Sequence, residues 1–264
     1  GVFQLLLGQG AANGRRILPA AYIRQATSRL VDLRHLRFEN IPVFLNGYGY
    51  LFWTTRLGGF SAFGMGGQVA LCLPREQAVF IATADLQGAT GYPQMLYDAF
   101  ERHLYPALRA RPAAGAGQPV LRPALALEAV RPSQAPAGRF CRRWALDTGS
   151  LPFLQVGLEV SEAGGRLLLQ LPGRELALDF GYGKNLRTVF PGTACPCVAS
   201  GGWQGGDSFL ILCQLFGEVT GNIRIRLCCK GSRLNLCMQK FEETHFAEFQ
   251  GFAGGRQLLE EGIV

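Results

Sequence analysis

A chain of 264 residues and 28.7 kDa, 48% hydrophobic and 17% charged, is long enough for one large core or two small ones, and two are expected. No stretch reaches the roughly 18 uninterrupted apolar residues of a membrane-spanning helix, so no transmembrane segment is expected. The net charge of +7 comes from 26 basic against 19 acidic residues, with lysine only at Lys184, Lys230 and Lys240, and the arginines are scattered along the chain rather than grouped into the footprint of a nucleic-acid partner, which is not expected.

The opening segment, "GVFQLLLGQGAANGRRILPAAYIRQATSRLV", predicts an amphipathic helix, a turn over residues 10–14 and a second helix opened by Pro19, within residues 17–30. "NGYGYLFWTTR" then alternates aromatic and small residues as a strand does. Gly58-Gly59 turns the chain, and "QVALCLP" and "QAVFIATAD" follow as two more strands about the turn at residues 74–76. The expectation is an antiparallel meander of three strands within residues 48–83. In "GYPQMLYDAFERHLYPALRA", Met95, Leu96, Ala99, Phe100, Leu104 and Leu108 recur at helical spacing, so a helix over residues 92–108 closes the unit and packs on the sheet, as does the helix near residue 20.

From Ala110 the composition shifts to alanine, glycine and proline, which predicts a linker over residues 110–137 between a first domain, residues 1–109, and a second, residues 138–264. The second domain reads as short alternating strands: "RFCRRWAL", "LQVGLEVSE", "GRLLLQLPG", "RELALDFG", "SFLILCQLFG", "NIRIRLCCKG" and "RLNLCMQKFEE". Hairpin turns separate them, and seven or eight such strands predict a small, closed or nearly closed antiparallel β-barrel. Trp144, Phe153, Phe180, Phe190, Trp203 and Phe216 are expected to fill its core, the alternative being that they line a ligand pocket. Lys184-Asn185 reads as an ordinary loop.

Chemistry-bearing patterns are sparse. "GGFSAFGMGGQVALCLP", residues 58–74, holds five glycines, which are kept either where the chain bends with φ > 0 or where another group approaches the backbone. The eight cysteines do not form paired C-x-x-C knuckles: Cys195-Pro-Cys197 and Cys228-Cys229 have the wrong spacing, and Cys72, Cys141, Cys213 and Cys237 sit in strand-like runs. No metal is expected, and most of these thiols are expected to be free and buried, favouring a reducing, cytoplasmic setting. No G-x-S-x-G or S-x-x-K occurs, and His35, His103 and His245 stand apart from any acidic partner in a motif, so no catalytic set is assigned and no cofactor is expected.

The ordered strings "LLLGQGAANGRRIL", "YGYLFW", "GGFSAFGMGGQVALCLPREQAVFIATAD" and "AFERHLYPAL", within residues 1–108, resemble the last part of the catalytic domain of the serine β-lactamase-like hydrolases, the group of class C β-lactamases, penicillin-binding peptidases and related esterases and amide hydrolases. In that group an aromatic strand precedes a glycine-rich turn and a strand whose start carries K-T-G or a variant such as H-G-G, and Met65-Gly66-Gly67 stands in that place. The resemblance implies that the strand beginning at Met65 edges the active site, with Gly66 and Gly67 letting substrate lie against the backbone and the Gln68 N–H in the second oxyanion-hole position. It also exposes departures. The nucleophile motif S-x-x-K and the Tyr-x-Asn motif are absent, and Met65, whose thioether donates no hydrogen bond, replaces a cationic or histidine residue. From "RRWALDTGSLPFLQVGLEV" onward the chain is similar to the β-rich domain often appended to such hydrolases, for which no activity is implied.

The fold class expected is therefore α+β: a partial β-lactamase/transpeptidase-like domain with helices on a three-stranded antiparallel sheet, followed by the barrel. The function implied is that of a fragment of a serine hydrolase acting on a small-molecule amide, lactam or ester through an acyl-enzyme, inactive as it stands. The alternative is a non-catalytic binding or structural protein whose barrel takes a small apolar ligand or a protein. Residues 138–264 are expected to fold alone and residues 1–108 not, because in the family the missing part covers a face of this sheet.

Overall fold

The computed structural model describes residues 1–36, 41–89, 91–110, 126–136, 138–241 and 245–258, and it divides into two units, Gly1–Val120 and Leu121–Val264. Residues 111–125 and 137 of the expected linker lie outside the described residues.

In the first unit, helix α1 (Val2–Leu7) leads into a two-residue hairpin, β1 (Ala11–Ala12) and β2 (Arg15–Arg16), turned by Asn13 and Gly14 with positive φ, and then into α2 (Ala20–Ala26), with Pro19 at its N-cap. Both helices were expected; the ladder between them was not. A 3-10 turn at Pro42–Asn46 precedes the sheet β3 (Trp53–Thr54), β4 (Phe60–Gly64), β5 (Gln68–Leu73) and β6 (Ala78–Ala82), an antiparallel meander of four in that order.

The expectation of three strands is thus corrected. The missed strand is β4, inside the stretch read as a glycine turn: Phe60 and Ser61 are fully buried, and only Met65–Gly67 turns the chain into β5. "YGYLFW" contributes just one strand residue, Trp53, because Tyr48 makes isolated bridges to Val31 and Trp53 and Leu51 adopts a positive φ.

Register assigns each face of this sheet a cover. Trp53, Ser61, Leu71 and Phe80 are successive cross-strand partners, and this row packs with Val43, Phe44, Tyr97 and Phe100. Phe60, Cys72 and Val79 form the row on the opposite face, against Leu6 and Ile23. Helices from this chain therefore cover both faces, which corrects the expectation that one face is left bare. What the sheet leaves open is an edge: among the described residues β6 pairs only with β5, its sequence is AVFIA, and Ile81 is 65% exposed. The closing helix is α3 (Tyr92–Ala99), a π segment over Phe100–Leu104 and α4 (Tyr105–Arg109). Pro106 has no N–H to give to the preceding turn, and the Tyr105 N–H bonds five residues back, to the Phe100 carbonyl.

The second unit is a barrel of β7 (Phe140–Gly149), β8 (Gln155–Val160), β9 (Gly165–Leu171), β10 (Arg174–Tyr182), β11 (Leu186–Val189), β12 (Pro196–Trp203), β13 (Ser208–Leu215), β14 (Gly221–Lys230), β15 (Arg233–Lys240) and β16 (Gly251–Gln257). Neighbours run β10-β9-β8-β7-β16-β15-β14-β13-β12, and a short parallel pairing of Gly181 and Tyr182 with Ser200 and Gly201 closes the ring of nine strands, with β11 beside β12. The expected barrel is present. Three strands are not among the segments expected from the sequence: β11, which is only four residues long, and β12 and β16, which are glycine-rich. In β12 the glycines make room, since a Cβ on Gly201 lies 2.8 Å from the Phe180 ring, and one on Gly202 lies 2.7 Å from Pro132.

Inside, alternate residues of every long strand form one apolar core, and Trp144, Phe153, Phe180, Phe190 and Trp203 sit in it with Phe209 and Phe249. Phe216 does not; it lies under the Arg187 guanidinium, 5.3 Å from ring centre to Cζ. Part of the proline-rich strap lies on the barrel, where the Val130 N–H donates to the buried Ser200 Oγ at 3.0 Å and the Ser133 N–H to the Trp203 carbonyl at 2.8 Å. The Asn185 side-chain amide donates to the Leu127 carbonyl at 2.8 Å.

All eight cysteines are free, but they are not mostly buried: Cys72, Cys197, Cys213 and Cys229 are, whereas Cys141 and Cys237 take outward positions on β7 and β15 and are exposed. Burial pushes the Cys72 and Cys229 thiols up to about 11 from an ordinary 9. A thiol reagent at pH 8 is therefore expected to modify Cys141 and Cys237 in the native protein and to reach Cys72 and Cys229 only on denaturation, read by mass spectrometry. Because the folded values are raised, the stability these two thiols contribute is complete below pH 9. It falls as pH rises from 9 towards 11, where the unfolded chain ionises first.

Candidate functional site

The turn joining β4 to β5 holds all four residues singled out in the sequence. Met65 projects outward, 55% exposed, while Gly66 and Gly67 are buried with φ of +79° and +101°. The Gly66 N–H donates to the Tyr92 hydroxyl at 3.2 Å, and its carbonyl accepts from the Leu86 N–H at 2.9 Å. Gln68, at the exposed start of β5, bends its side chain back over the turn: Nε2 donates to the Met65 carbonyl at 2.7 Å, and Oε1 accepts from the Ala84 N–H at 3.4 Å. These contacts bring Met65, Gly66, Gly67 and Gln68 together and tie them to the segment following β6 and to α3.

What approaches the glycines is therefore the chain itself. A Cβ on Gly67 lies 3.2 Å from Ala84 Cβ and 3.2 Å from Leu96 Cδ1, whereas the nearest atoms to a Cβ on Gly66 are 3.5 Å away. Gly67 is required both by its backbone angle and by packing; Gly66 is required by its angle alone.

One polar pair near this turn was missed in the sequence. Ser61 Oγ and Tyr97 Oη are 2.6 Å apart, both buried, joining the middle of β4 to α3. Burial raises the tyrosine's pKa and the serine's hydrogen bond opposes the rise. Nothing in "SAFG" distinguishes this serine from a surface one; only the registration of Ser61 opposite Leu71 puts it on the covered face. Ser61→Ala is expected to cost about 1–3 kcal/mol by stranding the Tyr97 hydroxyl, and adding Tyr97→Phe is expected to restore much of the loss, measured by urea denaturation.

A cavity of about 170 Å³ in the same unit is lined by Pro42, Val43, Asn46, Thr55 and Gln94 and by the Arg56–Glu101 ion pair. On the second unit an open concavity of about 600 Å³ is lined by Arg139, Glu159, Ser161, Arg166, Asp179 and Leu186. There Arg166 stands between Glu159 and Asp179 in the cross-strand register, and its Nε and Nη2 donate to Asp179 at 2.6 and 3.1 Å. Among the described residues no group of three or more His, Cys, Asp or Glu side chains is placed to hold a metal ion, and no helix is long and apolar enough to cross a membrane.

No family model matches the chain, and no curated protein matches it. Among solved structures it is similar to human cRBP IV, with a TM-score of 0.31 and 16% identity over 43% of this chain and 92% of that one, a likeness too distant to carry an argument.

Proposed function

We propose that this chain is a binding or structural protein rather than a complete enzyme, and that its barrel engages partners through its outer wall. The observation that carries this is the filled lumen. Twenty-eight buried side chains, among them Trp144, Phe180, Phe190 and Phe249, occupy the space that a ligand-carrying barrel keeps open. Recognition is left to the outside, where the strands present charged and polar side chains. The test is catalytic: chain 1–264 is incubated with an activated ester, a chromogenic lactam and a fluorophosphonate. No turnover and no covalent label are expected, and turnover abolished by replacing a single serine overturns the proposal.

A second function is favoured by the open edge of the first unit. An all-apolar edge strand with Ile81 exposed is a template for a further strand, as expected if β3–β6 belong to a larger sheet of the serine β-lactamase-like hydrolases. In that setting the Met65–Gln68 turn borders the acyl site, Gln68 N–H serves the oxyanion, and the S-x-x-K serine is supplied by sequence other than this chain. Fluorophosphonate labelling of the gene's full open reading frame, lost when an S-x-x-K serine is replaced, is the expected result. Labelling of chain 1–264 by itself contradicts it.

A further inference from the structure

Six of the cations that the sequence scatters are gathered by the barrel onto one wall. Strands β13–β16 hold Arg224, Arg226, Lys230, Arg233, Lys240 and Arg256 and not one aspartate or glutamate. Strands β7–β10 hold four arginines and four carboxylates, tied by the Arg143–Glu175 and Arg166–Asp179 ion pairs. On the basic wall Arg224, Arg226, Lys230, Arg233 and Arg256 occupy outward positions and are exposed, and among the described residues no carboxylate pairs with these five. The acidic residues described nearby, Asp207, Glu218 and Glu248, stand in the connections between strands rather than on them.

Register makes the arrangement unfavourable for the fold alone. Lys230 is the direct partner of Arg233, and Arg233 of Arg256, so three cations stand abreast at one end of β14–β16, about 5 Å from strand to strand. Like charges placed directly opposite destabilise a sheet, and among the described residues no carboxylate forms an ion pair with these three. On the same wall a second row runs Arg226, Cys237, Phe252, and the Phe252 ring is 63% exposed.

We propose that the β14–β16 wall docks on an acidic lipid bilayer, its cations on the headgroup anions and Phe252 in the interfacial layer. Cations in excess plus an exposed aromatic side chain meet the requirements for peripheral attachment to such a surface. A single-stranded nucleic acid asks for something different, a positively charged groove with several aromatic rings for successive bases, whereas this wall is the convex outside of a barrel and Phe252 is its one exposed aromatic ring among the described strand residues of β13–β16. The inference rests on the outer-wall function proposed above and names the partner.

The experiment is co-sedimentation of chain 1–264 with vesicles of phosphatidylcholine alone or mixed with phosphatidylserine, at low and high salt. Binding to the mixed vesicles only, released by salt, is expected. Lys230→Glu with Arg233→Glu is expected to weaken it about tenfold or more and Phe252→Ser severalfold, while Arg174→Glu, on β10, leaves it unchanged. Arg233→Glu by itself sets a carboxylate between Lys230 and Arg256 and is expected to raise Tm by about 2 °C while weakening binding, so loss of binding is separable from unfolding. Sedimentation indifferent to phosphatidylserine, equal weakening by Arg174→Glu, or tighter binding to a single-stranded oligonucleotide at matched salt overturns the proposal. Those failures leave the outer-wall function standing; it falls separately if the barrel takes an apolar ligand into its lumen.

Discussion

Trp144→Ala is expected to destabilise the second unit by about 3–5 kcal/mol, seen as a lower urea midpoint for that unit. Trp144 is fully buried in the middle of β7, opposite Val156 on β8 and 6.5 Å, centroid to centroid, from Phe140. Removing the indole empties the largest fully buried side-chain volume, and the surrounding strands are held by their ladders and cannot close in. The indole Nε1 is buried and has no hydrogen-bond partner among the described residues. Trp144→Phe therefore gives up some packing but also removes an unpaired donor, and its cost is expected to be only about 1 kcal/mol. Equal losses in the two variants contradict a dry, packed site for this side chain.

Gly67→Ala is expected to cost the first unit roughly 2–4 kcal/mol, and Gly66→Ala only about 1 kcal/mol. Both positions have left-handed backbone angles, so both substitutions strain the turn. At Gly67 the added methyl also meets Ala84 and Leu96, anchored on the segment after β6 and on α3, while at Gly66 it meets nothing closer than 3.5 Å. Thermal denaturation of the two variants separates the contributions. A larger loss at Gly66 contradicts the packing described for this turn.

The barrel was legible because its strands alternate: "NIRIRLCCKG" and "RLNLCMQKFEE" put Ile223, Ile225, Leu227 and Leu234, Leu236, Met238 inward with Arg224, Arg226, Asn235 and Cys237 between them. Where alternation is lost, a strand leaves no periodic signal in the sequence. β12 carries glycines where a neighbour's aromatic ring and the strap need the room, and β16 carries them where the neighbouring β7 and the residues after it press against its backbone, so the apolar period of both is lost. In "GGFSAFGMGG" the glycines at both ends hid a strand buried on both faces, in which Phe60 and Ser61 face different helices. The turn at Met65–Gln68 was found, but its partners Tyr92, Leu86 and Leu96 follow β6 and only tertiary folding brings them back to it. Charge shows the same limit: Arg226, Arg233 and Arg256 are scattered in sequence and reach one wall only through the registers of β14, β15 and β16.

The proposed outer-wall function requires that the lumen take no ligand, which a titration of chain 1–264 with a fluorescent fatty acid, followed by energy transfer from the core tryptophans, measures. No saturable uptake is predicted, because Trp144, Phe180 and Phe249 and their neighbours already occupy the lumen. Saturable one-to-one binding that quenches the tryptophans and is lost on enlarging a lumen side chain, as in Ala199→Phe, would contradict it.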